Sequence, residues 1–379
     1  MSTSKKSGIS RRTLLKGVAA GAAVMSAPAF VRNAFASSGE LNVYAWSDYI
    51  YQDMLDAFTK STGIKVNLSV YGSNDEVLNK LRASQGKGYD IVMPSVTYGM
   101  QWYKHDLLQP INEKKVHVDG CIPAMWKASE KLGAIHRHHR YTVPFNWGTE
   151  GICFDTSAKN YEYGKLSYGD IWTPENVGKT TIRAHSGMLG LGLYLDAAGK
   201  IQSNQMRDTY ESEDKMRKIY AEITKYAIEH KKNIRQFWSN AQETTNAFMQ
   251  NGCVIGQTWD GPAMRLRSET DARITYMAPK EGALTWMDTM AIPAGASNVD
   301  QAYAFINWYY TPQAGAMHAN NSGYNSCANH ADQYLTDQNK KNFAAAYPGS
   351  AIENLWWYPI EPTWFASARN EFRDKLLAA

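Results

Sequence analysis

Three tryptophans of this 379-residue chain stand one or two residues ahead of an aspartate: Trp46 before Asp48, Trp259 before Asp260, and Trp286 before Asp288. An indole face beside a carboxylate is what an ammonium group needs on leaving water, since ring quadrupole and negative charge together offset lost hydration. Aromatic residues make up 12% of the chain, so such faces are plentiful. Each residue also has a plainer use. A lone tryptophan usually packs in a core, and Asp48 stands where it can cap a helix opening near Tyr51. Other chemistries lack their patterns. There is no Cys-x-x-Cys, no P-loop and no Gly-x-Gly-x-x-Gly after a strand, so no cofactor is expected. No Gly-x-Ser-x-Gly elbow is present, so an enzyme is not expected. The dense histidine run His136-Arg137-His138-His139-Arg140 is interleaved with arginines that repel a cation, and Tyr309-Tyr310 falls within a helical pattern. Iron binding is therefore the weaker alternative, and no metal site is assigned.

The elements that must position these residues follow from periodicity. Leu41–Trp46 alternates and reads as a strand, and Ile64–Val70 alternates over seven residues. Between them, Met54, Leu55 and Phe58 have helical spacing, and Gly63 is a natural C′ residue. Asn74 is a candidate N-cap for a helix over 75–84, and Asp90–Ser95 is a short buried strand. This β-α-β-α-β opening predicts a parallel sheet with helices on its faces, whose ligands sit beyond the carboxyl ends of the strands. Val143–Thr149 is expected to turn before a new strand at Gly151–Asp155, a crossing into a second lobe. Glu213–His230 reads as an amphipathic helix there, and Val254–Asp260 as a strand entering a polar turn. Segments from Ile274 to Pro293 return to the first lobe, followed by a helix from Asp300 that stops at Thr311-Pro312. The aromatic run Trp356-Trp357-Tyr358 and a final helix over 362–377 close the chain.

Length alone argues for two domains. The formal charge of +4 is concentrated at one end: residues 1–36 carry six basic residues and no acidic one, which leaves 34 basic against 36 acidic residues elsewhere. A near-neutral remainder gives nucleic acid no broad electrostatic hold. The paired Arg11-Arg12, the apolar run from Gly17 to Phe30 and Ala34-Phe35-Ala36 have the three parts of a twin-arginine export signal, with cleavage expected after Ala36. The destination is the periplasm, where Cys121, Cys153, Cys253 and Cys327 leave disulfides and buried free thiols both open.

The order and spacing of several segments carry a resemblance. Trp46-Ser47-Asp48-Tyr49-Ile50, Thr62-Gly63-Ile64-Lys65-Val66, Tyr89–Ser95, and Pro279-Lys280-Glu281-Gly282 before Trp286-Met287-Asp288 occur collinearly over nearly all of the chain beyond residue 36. In these the chain resembles the periplasmic spermidine/putrescine-binding proteins of ABC importers. The resemblance implies an α/β, two-lobe periplasmic binding protein fold of type II, each lobe a mostly parallel sheet flanked by helices, with a ligand cleft between them. Residues 37–146 with about 275–330 would form one lobe, and about 147–274 with about 331–379 the other. It implies a small cationic organic ligand, an inner-membrane ABC permease as partner, and a monomer. Trp46, Trp259, Trp286 and Tyr324 stand where the family stacks rings on the ligand. Asp48, Asp260 and Asp288 stand where it places carboxylates, and Ser95 where it offers a hydroxyl. Tyr49 and Tyr98 are offset from the family pattern, Thr97 taking the place of the tyrosine that follows the serine.

One departure bears on the ligand. The family usually places an acidic residue after the strand equivalent to Thr180–Ile182, where a second amine is held. Here the chain reads Arg183-Ala184-His185-Ser186, which is basic. Arg183 and His185 therefore favour a monocation, a betaine or an amino-acid-like molecule over a diamine. Alternatively Arg183 points away, and the far amine meets water or Glu150.

Overall fold

The computed structural model describes residues 39–269 and 271–379. The expected export signal and its cleavage point lie outside the described residues. Strand β1 (Glu40–Trp46) pairs in parallel with β2 (Lys65–Tyr71) along its whole length, and helix α1 (Gln52–Thr62) connects them. Met54 and Phe58, four apart on one helix face, are buried, and the Phe58 ring meets Phe305 edge-on at 5.2 Å. Gly63 ends α1 with φ of 77°, its N–H reaching the Thr59 carbonyl at 2.8 Å, a left-handed cap that glycine takes without strain. Helix α2 (Asn74–Ser84) corrects the sequence reading. Ser73 is its N-cap, accepting from the Glu76 N–H at 3.2 Å, so Asn74 is the first helical residue and its side chain is free for another task. Strand β3 (Ile91–Val92) lies on the other side of β1.

Residues Thr142–Asp155 form one unbroken 14-residue strand, β4, where a turn and a second strand were expected. Its glycines serve close approach rather than turning. A Cβ on Gly148 would fall 2.4 Å from the Trp286 ring, and one on Gly151 would fall 2.7 Å from the Tyr276 hydroxyl. Beyond β4 come β5 (Thr180–Ile182), α3 (Ala184–Ala197), α4 (Glu213–Glu229), β6 (Ile234–Phe237), α5 (Ala241–Met249), β7 (Ile255–Trp259), α6 (Asp260–Glu269) and β8 (Ile274–Met277). Strand β9 (Leu284–Ala291) runs antiparallel to β4 and reaches β3 through Ala291 and Val92. Then follow α7 (Val299–Tyr309), α8 (Pro312–Ser322), β10 (Asn325–Ser326), α9 (Asp337–Ala346), β11 (Trp356–Trp357) and α10 (Phe365–Ala378). Thr311-Pro312, read only as a stop, also opens α8: Thr311 caps it, and Pro312 occupies the first turn, where a missing N–H costs nothing.

One eleven-stranded sheet results, ordered β2-β1-β3-β9-β4-β7-β5-β6, with β8 and β10 added to β4 and β11 to β9. Both ends are parallel, and the antiparallel β4 and β9 join them. Helices α3, α4 and α10 share a core that includes Leu189, Tyr220, Ile223, Phe372 and Leu376. Trp356 packs into the same core. The four cysteines are free and buried. The Tyr309 and Tyr310 hydroxyls are already engaged, donating to the carbonyls of Phe145 at 2.7 Å and Pro144 at 2.8 Å. His136 stacks on Tyr103 at 4.4 Å.

Candidate functional site

The strand order brings distant segments to one place. Chain leaving the carboxyl ends of β1, β3, β5, β6 and β7 delivers Trp46, Ser95, Arg183, Trp238 and Trp259 to a single cleft of about 630 Å³. Strand β9 adds Trp286 and Asp288 from its middle, and Asp48, Tyr49, Tyr98 and Tyr324 complete the predicted residues on the wall. Asp260 and Ser47 are not among the lining residues. Ser47 is exposed, its backbone N–H donating to the Tyr71 carbonyl at 3.2 Å. His185 lies in the first turn of α3, and its side chain is outside what the structure describes.

Asp288 is the most loaded group on the wall. It is 3% exposed, its Oδ2 accepts from the Tyr49 hydroxyl, and its Oδ1 has no partner among the described residues. Burial pushes its carboxyl up to about 7, against the opposing pull of the Ser95 and Tyr49 hydroxyls and of Arg183. Trp286, two residues earlier on the same face of β9, has a buried indole N–H with no partner among the described residues. Its ring stands edge-on to Tyr324 at 5.2 Å. Trp46 is fixed by an N–H donated to the Met93 carbonyl at 2.9 Å and stands edge-on to Trp259 at 6.3 Å. Asp48 does not cap α1, which has Tyr51 as its uncapped N-cap residue. It accepts instead from the Tyr324 hydroxyl at 2.8 Å. Burial raises its carboxyl, and Arg265 works against that rise.

A second layer holds these groups. His318 donates from Nδ1 to the Tyr49 carbonyl at 3.0 Å and accepts at Nε2 from Asn146 at 3.1 Å, which fixes Tyr49 under Asp288. Burial lowers the imidazole to about 4, so it is neutral at pH 7. Asn74, released from capping, grips Ser95: its Nδ2 donates to the Ser95 hydroxyl at 2.9 Å, and its Oδ1 accepts from the Ser95 N–H at 3.1 Å. Asp260 belongs to this layer. It is fully buried, accepts from the Tyr347 hydroxyl at 2.6 Å and the Gly261 N–H at 2.9 Å, and packs with Trp286 over Gly148.

The other wall carries residues that sequence reasoning missed. Trp238 lies just past β6, the same signal that marked Trp46 and Trp259, and crosses Trp259 at 4.7 Å. The Arg183 guanidinium lies over both rings, 4.7 Å from the Trp259 centroid and 5.6 Å from that of Trp238. Glu150, 2% exposed, accepts from Gln257 at 2.9 Å and sits close enough to Arg183 to favour its charge. Tyr358 and the Glu361–Arg369 pair, 3.1 Å apart, close the far side. Tyr98 donates to Asp75 there. Trp356 and Trp357 are not among the lining residues.

The cleft thus offers aromatic faces and, among the described residues, a carboxylate oxygen without a partner, an arrangement that suits a cation. The family of bacterial extracellular solute-binding proteins matches residues 53–346. Over 320 residues the chain is 29% identical to the spermidine/putrescine-binding periplasmic protein of Escherichia coli, covering 84% of this chain and 86% of that one. It is 27% identical over 355 residues to the putrescine-binding periplasmic protein of the same organism, covering 89% and 90%. A solved structure, a putative spermidine/putrescine ABC transporter from Listeria monocytogenes, superposes with a TM-score of 0.74 at 25% identity, covering 90% of this chain and 99% of that one. The sheet order, the cleft at the strand ends and a match spanning most of the sequence agree: the chain belongs to the bacterial extracellular solute-binding proteins.

Proposed function

We propose that this protein is the capturing component of an ABC importer, taking a polyamine or a related small cationic amine into the cleft. The observation that carries the reading is Asp288, a 3% exposed carboxylate with one oxygen unpartnered among the described residues, beside Trp46, Tyr49, Trp286 and Tyr324 on the cleft wall. A buried carboxylate without a counter-charge is costly, and an ammonium group at that oxygen removes the cost. Each cation–π contact adds roughly 0.5–2 kcal/mol. Three such faces and two charge-assisted bonds reach about −8 kcal/mol, micromolar binding. The names of the two Escherichia coli relatives support the ligand class.

In this reading residues 37–146 with about 275–330 form one lobe and about 147–274 with about 331–379 the other, β4 and β9 being the links. The chain is exported by the twin-arginine route, cleaved after Ala36, and works as a monomer that delivers its ligand to an inner-membrane permease. A thermal-shift screen with putrescine, spermidine and butylamine tests the capture. An amine at a hundred times its Kd adds about 2.7 kcal/mol of stability and raises Tm. No shift with any amine would reject the reading.

A further inference from the structure

The two walls of the cleft carry opposite charges at their free groups. On one wall Asp288 keeps a buried oxygen unpartnered. On the other, Arg183 spreads its guanidinium over Trp259 and Trp238, and among the described residues no carboxylate oxygen lies within 4 Å of it. Arg183 thereby covers part of the aromatic surface that a second ammonium group would need. It is also the N-cap residue of the 14-residue α3 and offers no side-chain acceptor to the first turn, while Ala184 lines the cleft. The amides of that turn lack the usual cap and add their partial positive charge to that of Arg183. The two poles sense each other, since Arg183 favours the ionised form of Asp288. Both residues line the same cleft, so one small molecule can meet both.

We propose that the cleft selects a zwitterion, with its cation at Asp288 and its carboxylate at Arg183 and the first turn of α3, over a diamine of equal length. The inference rests on the reading that the cleft captures a cationic amine, and it names the other end of that ligand. Among the carboxylates on the cleft wall, Glu150 is the one coupled to Arg183, and it opposes the inference most directly. Its carboxylate lies beside Arg183 and already spends one oxygen on Gln257. A second ammonium would share Glu150 with a guanidinium that repels it. A carboxylate meets a guanidinium fork and unsatisfied amides, the geometry in which charge-assisted bonds are strongest.

Calorimetric titrations with matched ligands test it: 4-aminobutyrate against putrescine, 5-aminovalerate against cadaverine, and butylamine as a cation with no second pole. The expected result is that the better amino acid binds the wild type at least tenfold more tightly than its diamine. Arg183→Gln is expected to reverse that order, costing the amino acid at least tenfold more than it costs butylamine. Butylamine binding by the variant also reports that its fold and cation pole are intact. Diamines binding more tightly than the amino acids, together with a loss of putrescine affinity in Glu150→Gln, would overturn the inference and assign the second ammonium to Glu150, with amine capture intact. Binding of none of the five ligands would remove the capture reading itself.

Discussion

The two walls of the cleft solve the burial of charge differently. On the β9 wall, Asp288 and Asp48 are carboxylates held by tyrosine hydroxyls, and burial pushes both upward. Neither has an ion pair within 4 Å among the described residues, and in the proposed reading a cation completes this wall. On the β5–β6 wall Glu361 is answered by Arg369 at 3.1 Å, while Arg183 lies over two indoles with Glu150 favouring its charge from beyond ion-pair distance. A fully answered charge is structure, whereas a buried charge left half-answered is where binding energy is stored. The difference locates affinity on the β9 wall and discrimination on the other.

Substitutions can break that comparison. The largest effect is expected from Asp288→Asn. Removing one member of a buried charge pair costs roughly 3–5 kcal/mol. Butylamine affinity should then fall at least a hundredfold by calorimetry, with Tm of the empty protein maintained, since Asn keeps the contact with Tyr49. A loss below threefold would move the cation elsewhere. The smallest effect is expected from Asp260→Asn. Its carboxylate stands behind Trp286 and accepts from Tyr347 rather than facing the cleft. Affinity should change less than threefold, and a hundredfold loss would return Asp260 to the ligand set.

These cases show what is legible in a sequence. The β-α-β-α-β opening and the Gly63 stop are local signals, and they agree with β1 to β3. Residues just past strand ends are legible for the same reason, which is why Trp46, Ser95, Arg183 and Trp259 reach one cleft. The failures are cases where tertiary contacts decide. Gly148 and Gly151 read as a turn, but they let Trp286 and Tyr276 lie close against a continuous strand. Asp260 has the same strand-end signal as Trp259, yet α6 begins at Asp260 itself and turns its side chain inward to Tyr347. Asn74 lost its capping role to Ser73 and became the clamp on Ser95, a choice one residue wide that periodicity does not resolve. Tyr358 enters the cleft just past the two-residue β11, too short for periodicity to mark as a strand, and Glu361 follows from the segment after it.

The claim that a cation completes the Asp288 wall has a direct readout in proton release. In the empty cleft burial raises the Asp288 carboxyl to about 7, so it is mostly protonated below that pH. An ammonium group favours the ionised form, so amine binding must release a proton at pH 6, and affinity must rise with pH until it levels off above about 7. The decisive measurement is the ¹³C titration of the Asp288 carboxyl, assigned by its loss in Asp288→Asn, with and without saturating butylamine. The account predicts a midpoint near 7 in the empty protein that drops below the ordinary aspartate value of about 3.9 when the amine is bound. A midpoint that is the same in both samples would contradict it.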